Sequence, residues 1–337
     1  MPGKLRLAIA GTGHKATEYA RSWLQMPDVA IVAITDICAE AQDRFSRLCV
    51  EAGASKPVSF GDMRSLLRGF GNEIDAVYLA TPHAFHARDA IIVVDAGIDL
   101  LIEKPMVTSV AEALELAGVC RRTGSTVVVA YQGGLSPLVH DLKSRSAAGE
   151  FGELLGVSGS IWENWDSLYA GQWKQESEVS GGGFMFDTGA HLMSTVLTIA
   201  DSDFSCVAAF MDRRGLKVDV VTAVAARLSS GPLVTMHAVG AAPFACASNI
   251  SFYFTAATVH VDAWGRWREI VTADGAIERD ETEVIDNPLR AFMAIRDGRM
   301  TNHSSVEDGL RLAGLWDAIK ASAAKDGERV LIEKQTL

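Results

Sequence analysis

Residues 5–16 read LRLAIAGTGHKA. An apolar run, as in a buried strand, leads into Gly11, Gly13 and Ala16, which form a GxGxxA pattern before a helix-like stretch. In this pattern the first glycine permits a tight turn, the second lets the backbone approach a pyrophosphate, and the alanine allows close packing of helix and strand. The stretch therefore predicts a dinucleotide-binding turn made of Gly11, Thr12, Gly13, His14, Lys15 and Ala16.

An acidic residue ends the second strand-like run, where Asp36 lies twenty residues beyond Ala16. This spacing is typical of the carboxylate that binds the ribose 2′-OH of NAD. Ile37 and Cys38 follow, so no adjacent arginine is available for the 2′-phosphate of NADP. The pattern favours NAD over NADP as the cofactor. Asp36 could also cap the helix that begins near Ala39, and the two roles are compatible.

The pattern of apolar residues along the chain changes near residue 131. Before it, continuous apolar runs alternate with amphipathic stretches, which indicates strands buried on both faces of a parallel sheet. Beyond it, strand-like runs dominate, with helical stretches at 137–148, 188–200, Pro288–Arg296 and 306–324. We predict an α/β chain with an N-terminal Rossmann domain (1–131, doubly wound parallel sheet) and a C-terminal α+β domain (132–337, mostly antiparallel sheet). The last helix of the second domain can pack back on the first.

The predicted strands follow the apolar runs. They are Leu5–Ala10, Val29–Thr35, 76–81, 98–103 and 126–131 in the first domain, then 156–162, 206–211, 218–228, Leu233–Val239, 250–256 and 258–263 in the second.

Composition and charge restrict the classes of function. The 337 residues carry a net charge of −11, which argues against binding the phosphate backbone of nucleic acids. The five cysteines are widely spaced without a CxxC pair, so neither a disulfide framework nor a zinc ribbon is indicated, and reduced thiols fit a cytoplasmic protein. The N-terminal apolar stretch is too short for a signal peptide, and no apolar run reaches the length of about 18 residues that a membrane span needs. We expect a cytoplasmic protein with no nucleic-acid or membrane partner.

A second polar group follows a buried strand. Residues 100–105 read LLIEKP, so Glu103 and Lys104 lie at the carboxyl edge of the parallel sheet, where ligands bind in open α/β sheets. Pro105 ends the strand pairing and restricts the backbone of Lys104. The alternative is a solvated salt bridge at a strand end. Residues 81–86, TPHAFH, reach the same edge and should border the nicotinamide. These two segments add five predicted cofactor-binding residues: Thr81, Pro82, His86, Glu103 and Lys104.

Two histidines in that segment raise the question of a metal. His83 and His86 are three residues apart and could face one ion on a helix. Two histidines without a nearby carboxylate or thiolate make a poor metal site, so we predict no metal. Packing or hydrogen bonding at the helix start is the favoured role of His86.

Residues 180–191 read SGGGFMFDTGAH. Three glycines precede a helix in which Asp187 and His191 are four residues apart and therefore share one face. A carboxylate beside an imidazole can orient the ring and tune its proton affinity, as acid–base chemistry requires. The alternative is a flexible glycine turn with a capping aspartate and a buried structural histidine.

Taken together and in this order, these motifs resemble the glucose–fructose oxidoreductase, inositol dehydrogenase and MocA (Gfo/Idh/MocA) family over nearly the whole chain. The matching positions are 11–16, Asp36, 80–82 with His86, 103–105 and 181–191. The resemblance implies a Rossmann domain followed by a domain with a large open sheet, and pyridine-nucleotide redox chemistry at a sugar, cyclitol or related polyol carbon. It also implies a cis Lys104–Pro105 bond and a catalytic group of Lys104, Asp187 and His191.

Two positions depart from the family pattern. His83 stands where the family often has asparagine, which bears on the wall around the nicotinamide. Ser194 stands where the family often has aspartate, three residues after His191, which bears on the orientation of the histidine and on the range of substrates.

We therefore expect an NAD-dependent dehydrogenase. His191 is the first choice for the acid/base, Lys104 would polarise the substrate oxygen or assist the proton transfer, and Asp187 would bind a hydroxyl and the lysine. Aromatic residues and one amide suit sugar faces and hydroxyls, although core packing or an interface is the alternative role for them: Trp162, Asn164, Trp165, Tyr169 and Trp173.

Two other functions are compatible with the same motifs. One is an NAD-dependent glycosidase that uses transient oxidation, and the other is a non-catalytic sensor of NAD and sugar. The intact set of Lys104, Asp187 and His191 argues against the sensor.

The predicted helices of the second domain cover only one face of its sheet. A large apolar face left in water is unusual in a monomer. We therefore expect a homodimer or homotetramer that packs through this sheet.

Overall fold

The computed structural model describes residues 3–243, 245–282 and 287–334, and these residues form two compact units. The first unit comprises the described residues of Met1–Val107, Ala111–Ala130 and Asp286–Val306. The second comprises those of Thr108–Val110, Tyr131–Ile285 and Glu307–Leu337. The described residues 287–306 thus group with the first unit, although the second domain was predicted to comprise residues 132–337.

The first unit is built on a six-stranded sheet in the order β3-β2-β1-β4-β5-β6, with parallel pairing throughout. This is the predicted Rossmann arrangement. Short 3-10 turns occur at Gly71–Glu73 and His83–Phe85. The elements are β1 (Leu5–Ala10), α1 (His14–Trp23), β2 (Val29–Thr35), α2 (Ala39–Glu51), β3 (Val58–Phe60), α3 (Met63–Phe70), β4 (Ala76–Leu79), α4 (His86–Asp95), β5 (Asp99–Ile102), α5 (Val110–Thr123) and β6 (Val127–Val129).

Burial explains why the sequence predicted strands such as β4 and β6 but not β3. Every residue of β4 and β6 is buried, so both faces of these strands needed apolar side chains. Strand β3 was not predicted, because it is a three-residue edge strand in which Val58 and Ser59 are exposed.

The second unit contains a nine-stranded sheet in the order β14-β13-β12-β11-β7-β10-β9-β8-β15. Only the pairing of β7 with β10 is parallel among these strands. The mostly antiparallel sheet was predicted. The remaining elements of the chain are α6 (Gln132–Leu135), α7 (Pro137–Ala147), β7 (Leu154–Trp162), α8 (Trp165–Leu168), α9 (Ser177–Ser180), α10 (Phe184–Asp187), α11 (Gly189–Ala200), β8 (Phe204–Asp212), β9 (Val221–Leu228), β10 (Leu233–Val239), β11 (Ala247–Phe254), β12 (Ala257–Val261), β13 (Trp267–Thr272), β14 (Ile277–Glu281), α12 (Pro288–Arg296), α13 (Val306–Ala323) and β15 (Val330–Leu331).

One face of this sheet packs on helix α11, which is buried along its length from Gly189 to Ile199. Contact is close, since a Cβ on Gly159 of β7 would lie 2.6 Å from Leu192 Cδ1. Helix α13 is attached to strand β8, where Ser322 Oγ accepts a hydrogen bond of 2.8 Å from the backbone N–H of Ala209.

The opposite face is exposed along the central strands and holds a depression of about 530 Å³. A large apolar face was predicted here. Small, hydroxyl and amide side chains dominate it instead, because the alternation of β9 and β10 turns their aliphatic residues inward. Phe210, Leu233 and Tyr253 are its exposed large side chains. Small and polar residues lining the depression include Ser158, Ser160, Ala223, Ala225, Thr235, His237, Asn249 and Ser251.

Residues 287–306, which contain α12, are attached to the rest of the first unit by hydrogen bonds. Asn287 Oδ1 accepts a hydrogen bond of 2.8 Å from Trp23 Nε1, and Arg296 Nε donates to Asp99 Oδ2 at 2.6 Å. Ser304 completes the attachment, because its hydroxyl donates to the carbonyl of Val129 at 2.7 Å. None of the helices in the described part of the chain combines the length and apolar character that a membrane span requires.

Candidate active site

The glycine turn after β1 is tight. Gly11 adopts φ +83°, and a Cβ at this position would lie 2.6 Å from the carbonyl oxygen of Ala80. Its N–H donates to the carbonyl of Thr35 at 2.8 Å, which ties the turn to the end of β2. Only glycine fits here, because the left-handed conformation and the neighbouring backbone both exclude a side chain.

The N-terminus of α1 is open to an anion. Gly13 is the N-cap residue, no side chain caps the helix, and its first turn carries no acidic residue. A Cβ on Gly13 would meet no atom within 4 Å. Backbone N–H groups and the helix dipole favour negative charge at such an end. Beyond the turn, Lys15 forms an ion pair of 2.9 Å with Glu18, and the side chain of His14 is exposed.

Asp36 is fixed beside this turn. Its Oδ2 accepts hydrogen bonds from the N–H (2.7 Å) and hydroxyl (3.0 Å) of Thr12, and its Oδ1 accepts one from the N–H of Cys38 (2.9 Å). The suggested role of Asp36 as the cap of α2 is wrong, because the N-cap residue is Cys38 and no side chain caps that helix. An open helix N-terminus next to a fixed carboxylate fits the pyrophosphate and ribose of NAD.

His86 joins the ends of two strands on the nicotinamide side of the predicted site. The ring is fully buried, with Nδ1 2.9 Å from the carbonyl oxygen of Pro105 and Nε2 2.7 Å from that of Thr81. Burial lowers the pKa of His86 below its ordinary value, although the contacts with these two carbonyls act in the opposite direction. The predicted hydrogen-bonding role of His86 is confirmed. Its ring centroid lies 5.7 Å from that of His83, and the described residues contain no group of three or more potential metal ligands.

Glu103 is not a solvated partner at a strand end. It is buried, Tyr78 donates a hydrogen bond of 2.8 Å to its Oε1, and the N–H of Lys104 donates to its Oε2 at 3.2 Å. Burial and the nearby Glu103 charge raise the pKa of the Tyr78 hydroxyl well above its ordinary value. The Lys104–Pro105 bond is cis, as the resemblance implied.

In the second unit, Asp219 holds the glycine loop that precedes α10. Its Oδ1 accepts from the N–H of Gly183 at 2.7 Å, and its Oδ2 accepts from the N–H of Met185 at 2.9 Å. Sequence reasoning missed this residue. A single charged side chain inside the apolar run Val218-Asp219-Val220 was the signal that could have found it.

Asp187 ends α10 and is 2% exposed. Its Oδ2 accepts hydrogen bonds from Trp165 Nε1 at 2.9 Å and from Lys174 Nζ at 2.7 Å. Lys174 was not among the predicted site residues, although it follows the candidate aromatic residue Trp173. Asp187 and His191 were predicted to share one face of a single helix. They lie on two helices instead, because α10 ends at Asp187 and α11 starts at Gly189.

His191 lies in the first turn of α11 and is buried. The centroid of its ring is 5.6 Å from that of Trp264. Ser194, one of the departures from the family pattern, is also buried in α11, and its carbonyl accepts a hydrogen bond from Thr198.

The candidate substrate residues occupy the strand end and loops around α8. Trp162 is the last residue of β7, and Asn164 precedes α8. Trp165 is fully buried and packs near Tyr169, with 5.8 Å between ring centroids. Trp173 begins a 3-10 turn at Trp173–Gln175. The structure thus gathers Trp165 and Tyr169 around Lys174 and Asp187.

Curated relatives share part of the chain. A glycosyl hydrolase family 109 protein of Saccharopolyspora erythraea is 27% identical over 201 residues, which cover 55% of this chain and 42% of that protein. The D-xylose 1-dehydrogenase (NADP(+)) of Haloarcula marismortui is 31% identical over 131 residues, which cover 38% of this chain and 36% of that protein. The chain thus spans less than half the length of these two relatives.

Solved structures and family models extend the comparison over most of the chain. Levoglucosan dehydrogenase in complex with NADH and levoglucosan has the same fold, with a TM-score of 0.84 at 20% identity over 98% of this chain and 100% of that chain. The oxidoreductase family model with an NAD-binding Rossmann fold matches residues 5–131, and the GFO/IDH/MocA C-terminal domain matches residues 139–260. The protein therefore belongs to the Gfo/Idh/MocA family of NAD-binding oxidoreductases.

Proposed function

We propose that the protein is an NAD-dependent dehydrogenase that acts on a sugar, cyclitol or related polyol. The observation that carries this proposal is the open N-terminus of α1 beside the fixed carboxylate of Asp36. D-xylose 1-dehydrogenase and levoglucosan dehydrogenase, whose names include sugar substrates, support the substrate class.

We assign the cofactor to the first unit and the substrate-binding groups to the second. When bound there, NAD would supply the hydride-transfer chemistry. The backbone N–H groups of α1 would hold the pyrophosphate, and Asp36 would accept from the ribose. The other cofactor-binding residues are Gly11, Thr12, Gly13, His14, Lys15, Ala16, Thr81, Pro82, His86, Glu103 and Lys104.

The proposed catalytic residues are Lys104, Asp187 and His191. His191 would give a proton to the substrate oxygen or take one from it, since imidazole titrates near neutral pH. Lys104 would polarise the same oxygen with its ammonium group. Asp187 would accept a hydrogen bond from a substrate hydroxyl. Trp162, Asn164, Trp165, Tyr169 and Trp173 are the proposed surroundings of the substrate.

A screen of polyols and sugars with NAD tests the reaction. NADH absorbance should rise with at least one substrate, and the His191→Ala variant should fail on that substrate while it still binds NAD. If the purified protein binds NAD but oxidises no polyol and its NADH form reduces no sugar or ketose, the dehydrogenase proposal is refuted.

A glycosidase is the second candidate, because one relative is a glycosyl hydrolase family 109 protein. The same residues would then cleave a glycoside through transient oxidation, with no net formation of NADH. Release of nitrophenol from nitrophenyl glycosides, dependent on added NAD and without a rise in NADH, would favour this candidate over the dehydrogenase.

We further propose that the protein is a cytoplasmic homodimer or homotetramer. The five cysteines are widely spaced without a CxxC pair, which is typical of a protein of a reducing compartment. The exposed face of the nine-stranded sheet is the proposed interface. Its small side chains allow a close approach, and Phe210, Leu233 and Tyr253 supply apolar area.

A further inference from the structure

The ammonium group of Lys174 is held from two sides. Its Nζ donates to Asp187 Oδ2 at 2.7 Å and lies 4.0 Å from the centroid of the Tyr169 ring. The Lys174 side chain is 20% exposed and that of Asp187 is 2% exposed. The pair is therefore largely removed from water, where a charge interaction is screened less than at the surface.

The backbone around Lys174 is fixed as well. Lys174 is the middle residue of the 3-10 turn Trp173–Gln175. Gln175 Nε2 donates to the carbonyl of Asp166 at 2.8 Å, and Gln175 Oε1 accepts from the N–H of Gly171 at 3.3 Å. This turn presents the ammonium at a set position, so that less conformational freedom is lost when the ion pair forms.

A second lysine of the same unit shows what a surface pair looks like. Lys217 Nζ lies 2.6 Å from Glu176 Oε2, with side chains 69% and 53% exposed. Such pairs contribute little, because water and salt screen them. Lys217 therefore offers a matched control for Lys174, with the same side chain and the same type of contact.

We propose that Lys174 is a positioning residue for the reaction, which keeps Asp187 ionised and fixes the direction of its carboxylate. This inference rests on the proposed function and deepens it. A carboxylate as buried as Asp187 binds a proton when no cation or donor compensates it. Two donors that face it are Lys174 from the 3-10 turn and Trp165 from α8, while His191 follows one helical turn later on α11.

The assignment divides the chemical roles in the second unit. Asp187 acts as a fixed anion that orients a substrate hydroxyl, since its Oδ2 already accepts two hydrogen bonds. The proton that the reaction moves then resides on His191. Lys174 does not need to touch the substrate in order to act.

A stability cycle tests the pair without any substrate. Thermal unfolding is measured for Lys174→Met, Asp187→Asn and the double variant, with Lys217→Met as the control. We expect Lys174→Met to lower the Tm by about 4 °C or more in the wild-type background and by less than half of that in the Asp187→Asn background. Lys217→Met should leave the Tm unchanged in both. Equal effects of Lys174→Met in the two backgrounds would overturn the pairing.

The activity of the same variants tests the positioning role. With the substrate found in the screen, Lys174→Met should lower kcat by about tenfold or more and move the acidic limb of the kcat profile to higher pH, because Asp187 then takes up a proton more easily. Lys174→Arg should restore most of kcat and the wild-type profile, and Lys217→Met should change neither. A Lys174→Met enzyme with wild-type kcat and an unchanged profile would overturn the proposal. If Lys174→Met lowers the Tm less in the Asp187→Asn background than in the wild type, but the protein turns over no sugar or polyol, the ion pair is supported and the proposed function is refuted.

Discussion

The carboxylate of Asp219 accepts a hydrogen bond of 2.7 Å from the backbone N–H of Gly183, thirty-six residues earlier in the chain. The same carboxylate accepts from Met185 N–H and from the hydroxyl of Thr222. These contacts fix the loop that leads into α10, at whose end Asp187 lies. One buried side chain thus determines where a proposed catalytic residue is placed.

Replacement of Gly183 should disrupt this loop. A Cβ at Gly183 would lie 1.9 Å from the carbonyl oxygen of Asp219, and that oxygen belongs to buried backbone. We expect Gly183→Ala to lower the free energy of unfolding by about 2–4 kcal/mol, in the range of severe overpacking. Gly314→Ala in α13 is the control, because its nearest new contact is 3.9 Å away, and it should stabilise by about 0.5–1 kcal/mol. Urea unfolding measures both, and equal losses would contradict the prediction.

The titration of Asp219 should appear in the stability of the protein. Burial raises the pKa of Asp219 above its ordinary value of 3.8, and the hydrogen bonds from Met185, Gly183 and Thr222 oppose this shift. The folded protein then holds the Asp219 proton more tightly than the unfolded chain, so this group stabilises most below pH 3.8 and its contribution falls as pH rises through the folded-state pKa. The stability advantage of the wild type over Asp219→Asn should shrink over that window. Urea unfolding of both proteins across this pH range measures it, and a growing advantage would contradict the sign.

Asp36 should determine the choice of cofactor. Its fixed carboxylate would accept from a ribose hydroxyl and repel a 2′-phosphate, so NAD should bind at least about tenfold tighter than NADP, a difference of about 1.4 kcal/mol. Asp36→Ala should reduce this preference. Asp43→Ala, which removes an exposed charge from α2, should not. Fluorescence titration with both nucleotides gives the affinities, and equal affinities in the wild type would refute the assignment.

Lys104 and His191 should affect turnover far more than the affinity for the cofactor. Lys104→Ala and His191→Ala should each lower kcat by roughly 10²–10⁴-fold, the usual range for acid–base groups. The double variant should lose less than the product of the two, since groups that act as a unit are not additive. The affinity for NAD should stay within about twofold of the wild type in all three, because the proposed pyrophosphate and ribose contacts are made by α1 and Asp36. Lys325→Ala, at an exposed lysine, serves as the control. Near-normal turnover in either single variant would remove that residue from the catalytic group.

The exposed sheet face should hold the subunits together. Light scattering at micromolar concentration should give a multiple of the 36.1 kDa chain mass. Ala225→Glu places a charge at the centre of the proposed interface and should shift the protein towards monomers. Ala321→Glu, on the exposed side of α13, should leave the assembly intact. A monomer mass for the wild type would refute the interface.

Some of this architecture is encoded locally. The bounds of β1 (Leu5–Ala10) and β2 (Val29–Thr35) agree with the prediction, because an unbroken apolar run between turn residues needs no partner to be recognised. The glycine turn was predicted for the same reason, since the spacing of its glycines reflects one strand–turn–helix unit. Strands β13 and β14 escaped prediction, because their charged residues pair across the strands, as Arg268 does with Asp280 at 2.8 Å.

The sequence by itself determined the parallel sheet of the first unit, the mostly antiparallel sheet of the second and the glycine turn after β1. Tertiary structure alone decided which polar groups meet in the second unit. Lys174 forms a hydrogen bond with Asp187, thirteen residues away in the chain, and Asp219 forms one with Gly183, thirty-six residues away. No local sequence pattern links the two residues of either pair. The physical reason is that a buried charge is stable only with a partner, and the fold chooses that partner by distance in space rather than along the chain.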